Sequence, residues 1–283
     1  MLVPAQDLLQ RARRERYGVL ACNVIGLEHA EAIVTAAAQE HAPVILQVSE
    51  NAIAYRQSQA APLLAACREL AATVATPVAL HLDHATTLRL CEEAVAAGVS
   101  SVMFDTGNAR DLAGVTAVVT WAHVRGVSIE GEVGFVGGKA GTHARVDDLT
   151  DPAEAAAYVT ATGVDSLAIS VGSEHGMQRP TSLDLARIAA IRAVVHVPLV
   201  LHGSSGVPDA ELAAAIECGI TKVNLATQLN AAYTGAVRAF LAGDTAVTDP
   251  RRYGAEGRVA MVAVVRAKCR LVGASGRASG EAT

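Results

Sequence analysis

Aromatic residues are scarce in this 283-residue sequence: Phe, Trp and Tyr together make up 3%, against 51% hydrophobic residues in all. A core with so little ring surface must be aliphatic, packed from Ala, Val, Leu and Ile, the composition of helices laid against a buried parallel sheet. Basic residues are not in excess either. The formal net charge of -5 and the pI near 6.0 leave no basic footprint, which argues against nucleic acid as the main partner. No apolar run reaches the roughly 18 residues of a membrane span, because charged or polar residues or Gly interrupt each one. The opening MLVPAQDLLQRARRER carries acid and base early and lacks the apolar centre of a signal peptide. Paired cysteines are missing as well. Cys22, Cys67, Cys91, Cys218 and Cys269 are odd in number, contain no CxxC, and read as free thiols of a reducing cytoplasm.

What is present is alternation. Short β-branched runs at 19–24, 43–48, 77–82, 100–104, 127–130, 166–171, 198–201 and 221–225 are predicted strands. Helical stretches lie between them, at 27–40, 63–75, 87–97, 112–125, 152–162, 183–194 and 209–218. Several strands follow a helix-stopping Gly, as at Ala97-Gly98 and Thr162-Gly163. Strict alternation implies parallel pairing through right-handed crossovers. Eight units imply a closed (β/α)8 TIM barrel, an α/β fold in a single domain over residues 1–272. An open doubly wound sheet is the alternative, but it needs an edge strand of exposed polar alternation, and none is visible. The segment 273–283, GASGRASGEAT, is small and polar and reads as a disordered tail.

In a barrel, ligands gather at the carboxyl ends of the strands. Here strand three ends in His81-Leu82-Asp83-His84 and strand four in Asp105, while strand five runs into Glu130-Gly131-Glu132. Strand six leads to Glu174-His175-Gly176, strand seven to His202-Gly203-Ser204-Ser205-Gly206, and strand eight to Asn224-Leu225-Ala226-Thr227. A lone His is more often a satisfied polar residue than a ligand. Three at separate strand ends, His84, His175 and His202, suit a catalytic Zn²⁺ with an open position. His29, His41, His123 and His196 fall on helices or before strands, and His81 is expected to face away from His84; all five read as structural. The Gly203–Gly206 turn offers backbone N–H groups and hydroxyls to an anion, beside Asn224–Thr227 on the neighbouring strand. The loops after strands seven and eight are the usual phosphate site of a barrel, so a phosphorylated substrate is expected.

Together these strand ends resemble the class II, metal-dependent ketose-bisphosphate aldolases, of the fructose- and tagatose-bisphosphate type. The matching segments include Cys22-Asn23-Val24, Val78-Ala79-Leu80-His81-Leu82-Asp83-His84, Glu130-Gly131-Glu132-Val133-Gly134, His175-Gly176, the stretch 198–206 and Lys222-Val223-Asn224, over about residues 18 to 230. The resemblance implies zinc on His84, His175 and His202, with Glu132 at the metal or just behind it. It implies that Asp83 handles the proton on the hydroxyl that becomes the aldehyde oxygen. Dihydroxyacetone phosphate would be the donor, held by Asn23, Ser49, Gly176, Gly203, Ser204, Ser205, Asn224, Ala226 and Thr227. A monovalent cation, Na⁺ or K⁺, near the phosphate loops and a homodimer or homotetramer are further implications. The chemistry is consistent: cleavage beside a carbonyl leaves an enediolate, which a Lewis acid stabilises by several kcal/mol. Lys222 is then structural, with a Schiff-base nucleophile as its alternative.

Three departures stand out. After Gly137-Gly138, where the family carries acidic residues, this chain reads Lys139-Ala140-Gly141-Thr142-His143. His143, Asp147 or Asp148 could supply the missing base, or another group could act on a different substrate, or turnover is lost and the chain only binds a sugar phosphate. A barrel lyase or isomerase that leaves the carbon skeleton intact is a further alternative. Asp105-Thr106-Gly107 replaces the usual Asp-Gly-Ser, and Gly114 replaces a common Asn. Glu50 and Asn51 stand where small residues are usual, and Glu50 would repel a second phosphate unless it simply faces solvent.

Overall fold

A computed structural model of the protein describes residues 1–105, 111–134, 136, 149–176 and 181–278. Eight strands close into one all-parallel barrel in sequence order: β1 (Val19–Asn23), β2 (Val44–Ser49), β3 (Val78–Ala85), β4 (Ser101–Phe104), β5 (Ser128–Val133), β6 (Ser166–Ile169), β7 (Leu199–Leu201) and β8 (Ile220–Leu225). The (β/α)8 expectation holds. The helices are α1 (Ala5–Glu15), α2 (Leu27–Glu40), α3 (Glu50–Tyr55), α4 (Ala60–Ala72), α5 (Leu88–Ala96), α6 (Leu112–His123), α7 (Pro152–Thr162), α8 (Leu185–Val194), α9 (Asp209–Cys218), α10 (Thr227–Gly243) and α11 (Pro250–Leu271).

Local chemistry sets many of the boundaries. Asp151 accepts from the N–H groups of Ala153 and Glu154 with Pro152 in the first turn, so α7 starts there. Thr87, Asp111 and Asp184 cap α5, α6 and α8 in the same way. Helix α4 begins three residues before the expected 63 because Pro62 sits in its first turn, where a missing N–H costs nothing. At the amino end of the barrel, α1 buries Ala5, Leu8, Leu9 and Ala12, a stripe at helical spacing. Its leading residues add to β3, with Val78 N–H donating to the Met1 carbonyl at 2.9 Å.

Residues 273–278, which composition reads as the start of a disordered tail, are placed against the end of α2. Ala274 is fully buried, and the N–H groups of Gly276 and Ala278 donate to the carbonyls of Glu40 and His41 at 2.9 and 2.8 Å. Small side chains let the backbone lie flat there. The Glu40 carboxylate accepts from Arg266 Nε at 2.7 Å, Arg270 Nε at 2.9 Å and the Ser275 hydroxyl at 3.0 Å. The Arg270 bond, more than the others, holds the Glu40 carboxyl down at about 2. Stability from a depressed carboxyl is present above its ordinary value near 4.5 and is lost as pH falls through about 2. Glu40→Gln should therefore cost about 1–2 kcal/mol at neutral pH, less than full linkage because both arginines are open to solvent. Denaturant melts of parent and variant should converge between pH 4.5 and 2; a constant gap would show that Glu40 acts through packing alone.

Candidate active site

Alternate residues of a strand share a face. On this barrel the polar ones share the inner face: Asn23 on β1, Gln47 and Ser49 on β2, His81 and Asp83 on β3, Glu130 and Glu132 on β5, and Lys222 and Asn224 on β8. The opposite face holds Leu20, Leu46, Leu80, Leu82, Ile129 and Val223, which pack beneath the helices.

By that alternation His84 would point outward with Leu82. It does not, because His84 adopts φ +54 and the β3–β4 register shifts between Leu82 and Ala85. A left-handed non-glycine residue costs on the order of 1 kcal/mol or more, and such strain collects at functional positions. The turn aims the His84 ring inward, 5.3 Å from that of His202 and 6.0 Å from that of His175, between ring centres. Its Nδ1 lies 3.5 Å from Asp105 Oδ2. His175 and His202 approach each other because Gly203 packs directly on the preceding loop. A Cβ on Gly203 would sit 2.6 Å from the Glu174 carbonyl, and its φ of +64 also favours glycine. One ligand atom from each histidine falls within 4.8 Å of those of the other two.

His202 is fully buried between two carboxylates. Its Nε2 lies 3.0 Å from Glu130 Oε1, and its Nδ1 lies 2.8 Å from Glu132 Oε2. Burial opposes charge on this ring, but Glu130 and Glu132 outweigh it and raise His202 to about 9. The Glu132 contact is close yet not aligned as a hydrogen bond, and Glu132 Oε2 and His202 Nδ1 have no hydrogen-bond partner. Buried Asp83 Oδ1 has none either. Burial favours the neutral acid at Asp83, but the charges of His84, His202, Lys222 and His81 prevail and lower its pKa. Buried carboxylate and imidazole atoms that converge without hydrogen-bonding one another fit a cation, and three imidazoles fit zinc in particular. Glu132 stands beside His202 but outside the three-histidine set.

Beneath the rim, Lys222 Nζ donates to Glu130 Oε2 at 2.7 Å and lies 3.3 Å from His81 Nε2, whose Nδ1 is 2.9 Å from Ser101 Oγ. Burial, then the Lys222 charge, pushes His81 down to about 3, so it is neutral. His81 is expected to point away from the face of His84, but the left-handed turn at His84 brings both rings into the barrel. Sequence reasoning missed Glu130 as a partner of His202. Its signal was the period of two shared with Glu132.

Above the three histidines opens a cleft of about 460 Å³. Its wall includes Asn23, Ser49, Gly176, Gly203, Ser204, Ser205, Asn224, Ala226 and Thr227, with Asp83, His84 and His175. Two hydroxyls are already committed. Ser204 Oγ donates to the Asn224 carbonyl at 2.5 Å, and Ser49 Oγ accepts from Ala52 N–H at the start of α3. The first locks the loop after β7 onto β8, which leaves Ser204 no hydroxyl hydrogen for an anion. Asn224 Oδ1 is buried without a hydrogen-bond partner. Across the cleft stand Glu50, Asn51, Thr86 and Asp105. Glu50 accepts from Thr86 through both its N–H, at 2.8 Å, and its hydroxyl, at 3.0 Å. Among the described residues no Lys or Arg lines the cleft. His143, with Asp147 and Asp148, lies outside the described residues.

The model of the class-II fructose-bisphosphate aldolase family matches residues 3–277. Among solved structures, the YdjI aldolase of Escherichia coli K12 is similar at 28% identity and a TM-score of 0.87, covering 99% of this chain and 100% of that one. A provisionally assigned fructose-1,6-biphosphate aldolase of Coccidioides immitis is similar at 28% identity and a TM-score of 0.85, over 97% of each chain. The fructose-bisphosphate aldolase of Campylobacter jejuni shares the fold at 20% identity and a TM-score of 0.78, over 97% of this chain and 96% of that one.

Proposed function

The chain belongs to the class-II fructose-bisphosphate aldolase family, and from that premise we propose that it is a zinc-dependent aldolase acting on a ketose phosphate, with dihydroxyacetone phosphate as donor. The observation that carries this reading is the convergence of His84, His175 and His202 from three strand ends beside the turn after β7. Bound zinc would supply a Lewis acid for the two oxygens of the enediolate left by carbon–carbon cleavage. Asp83, ionised and with one oxygen unpartnered, would take and return the proton of the hydroxyl that becomes the aldehyde oxygen. Gly176, Gly203, Ser205, Asn224, Ala226 and Thr227 would hold the donor phosphate, with the amino end of α10 directed at it. Ser204 would act by fixing that loop. We assign the donor-carbon proton to His143, since an unperturbed imidazole titrates near neutrality. A monovalent cation at the phosphate loops, a homo-oligomer and a cytoplasmic setting complete the reading, the last in keeping with five free cysteines. No helix among the described residues is long and apolar enough to cross a membrane.

Glu50 favours a variant of this function. A carboxylate clamped by Thr86 on the cleft wall repels a second phosphate and suits hydroxyl groups. The acceptor is accordingly an unphosphorylated hydroxyaldehyde. A non-catalytic binding paralogue would have little use for Asp83. The test offers dihydroxyacetone phosphate with a panel of aldehydes and identifies the products. The expected result is a kcat/KM at least about tenfold higher for an unphosphorylated aldehyde than for glyceraldehyde 3-phosphate, a difference of about 1.4 kcal/mol. The reverse preference restores the bisphosphate substrates, and no product from zinc-loaded protein with any aldehyde favours the binding paralogue.

A further inference from the structure

Of the charged groups that the proposed reaction leaves unused, Lys222 is the most deeply placed: it is fully buried in the barrel centre and absent from the cleft wall. Its ammonium meets two neighbours from across the lumen, Glu130 on β5 and His81 on β3. Partner chemistry fixes every proton along this line of contacts. A carboxylate only accepts, so the His202 nitrogen 3.0 Å from Glu130 Oε1 carries its hydrogen on Nε2. Once the ring is neutral, as a metal ligand must be, the lone pair is on His202 Nδ1 and faces the rim, where Glu132 Oε2 and the other two histidines gather. Neutral His81 accepts from Lys222 at Nε2, so its Nδ1–H donates to Ser101 Oγ.

We propose that Lys222 is a positioning residue for the metal centre, holding Glu130 so that Glu130 pins the Nε2–H of His202 and presents Nδ1 to zinc. This rests on the aldolase reading above. Two other roles fit the geometry poorly. A Schiff-base amine must reach the substrate carbonyl, whereas Nζ is enclosed and engaged by Glu130 and His81. A purely structural ion pair is also a poor account, because a buried pair is commonly replaced by apolar side chains with no loss of stability. Its value lies in orientation: partners behind a metal-bound histidine are typically worth ten- to a hundredfold in metal affinity.

The experiment measures Zn²⁺ affinity of the full chain by competition with a chromophoric chelator, and the visible spectrum after Co²⁺ substitution. Folding of each protein is checked by circular dichroism. Lys222→Met should bind zinc about ten- to a hundredfold more weakly than the parent and shift the cobalt bands. Should that variant fail to fold, with Glu130 left as an unpaired buried charge, the pair Glu130→Gln and Glu130→Gln/Lys222→Met replaces it. An amide has one accepting oxygen, so in Glu130→Gln the Lys222 ammonium competes with His202 Nε2–H for it. Removing Lys222 frees that oxygen for His202, and the double variant should bind zinc at least about tenfold more tightly than Glu130→Gln alone. Equal affinity and superimposable cobalt spectra would overturn the positioning role while leaving the aldolase reading intact. A parent that does not bind zinc would overturn both.

Discussion

Replacing His202 with Ala should strip the protein of zinc and lower carbon–carbon cleavage about a thousandfold. Of the three histidines His202 is the fully buried one, set between Glu130 and Glu132. Loss of a Lewis acid worth about 4 kcal/mol of transition-state stabilisation corresponds to roughly three decades in rate. The variant also leaves Glu130 bonded only to Lys222, so the barrel centre stays paired and the fold should survive. Metal content after gel filtration, circular dichroism and initial rates would be read together. Chelation of the parent should give the same loss, and restored zinc should reverse it. Retention of both zinc and activity by His202→Ala would remove this ring from the site.

Asp83→Asn should separate binding from proton transfer. Asparagine keeps the shape of the side chain but cannot take a proton, so kcat should fall by roughly 10²–10⁴ while zinc stays bound. KM for the ketose phosphate should change little, since the proposed phosphate loops follow β7 and β8 whereas Asp83 lies on β3. In the parent, the charges of His84, His202 and Lys222 keep Asp83 below its ordinary carboxylate range despite burial. The base is thus ready at neutral pH, and an acid limb of the rate profile between about pH 5 and 8 would arise from another group, histidine being the side chain that titrates there. Unchanged kcat in zinc-replete Asp83→Asn would withdraw the role.

The barrel was legible because each of its eight β-branched runs lies between helical stretches and because fully buried strands need little else. The three histidines were legible because strand ends face one rim. What stayed hidden depended on contacts remote in the chain or on single dihedral angles. Lys222 and Glu130 are 92 positions apart, on the predicted strands eight and five. Only closure of the barrel sets them side by side. The inward aim of His84 needs a left-handed residue that no alternation of residue types announces. Ser204 carried the right group for an anion, but its hydroxyl is spent on Asn224, a partner visible only once β7 and β8 are paired. Residues 273–278 show a different limit. A low-complexity composition describes the chain by itself, and Gly276 gains its order from the exposed end of α2.

The clamp between Glu50 and Thr86 bears on how such an enzyme could change its diet. Glu50 begins α3, a six-residue helix standing outside the polar chain that runs through Lys222, Glu130 and His202. A lineage could trade that short helix, residue by residue, and try new aldehydes while the residues at the other strand ends stay untouched.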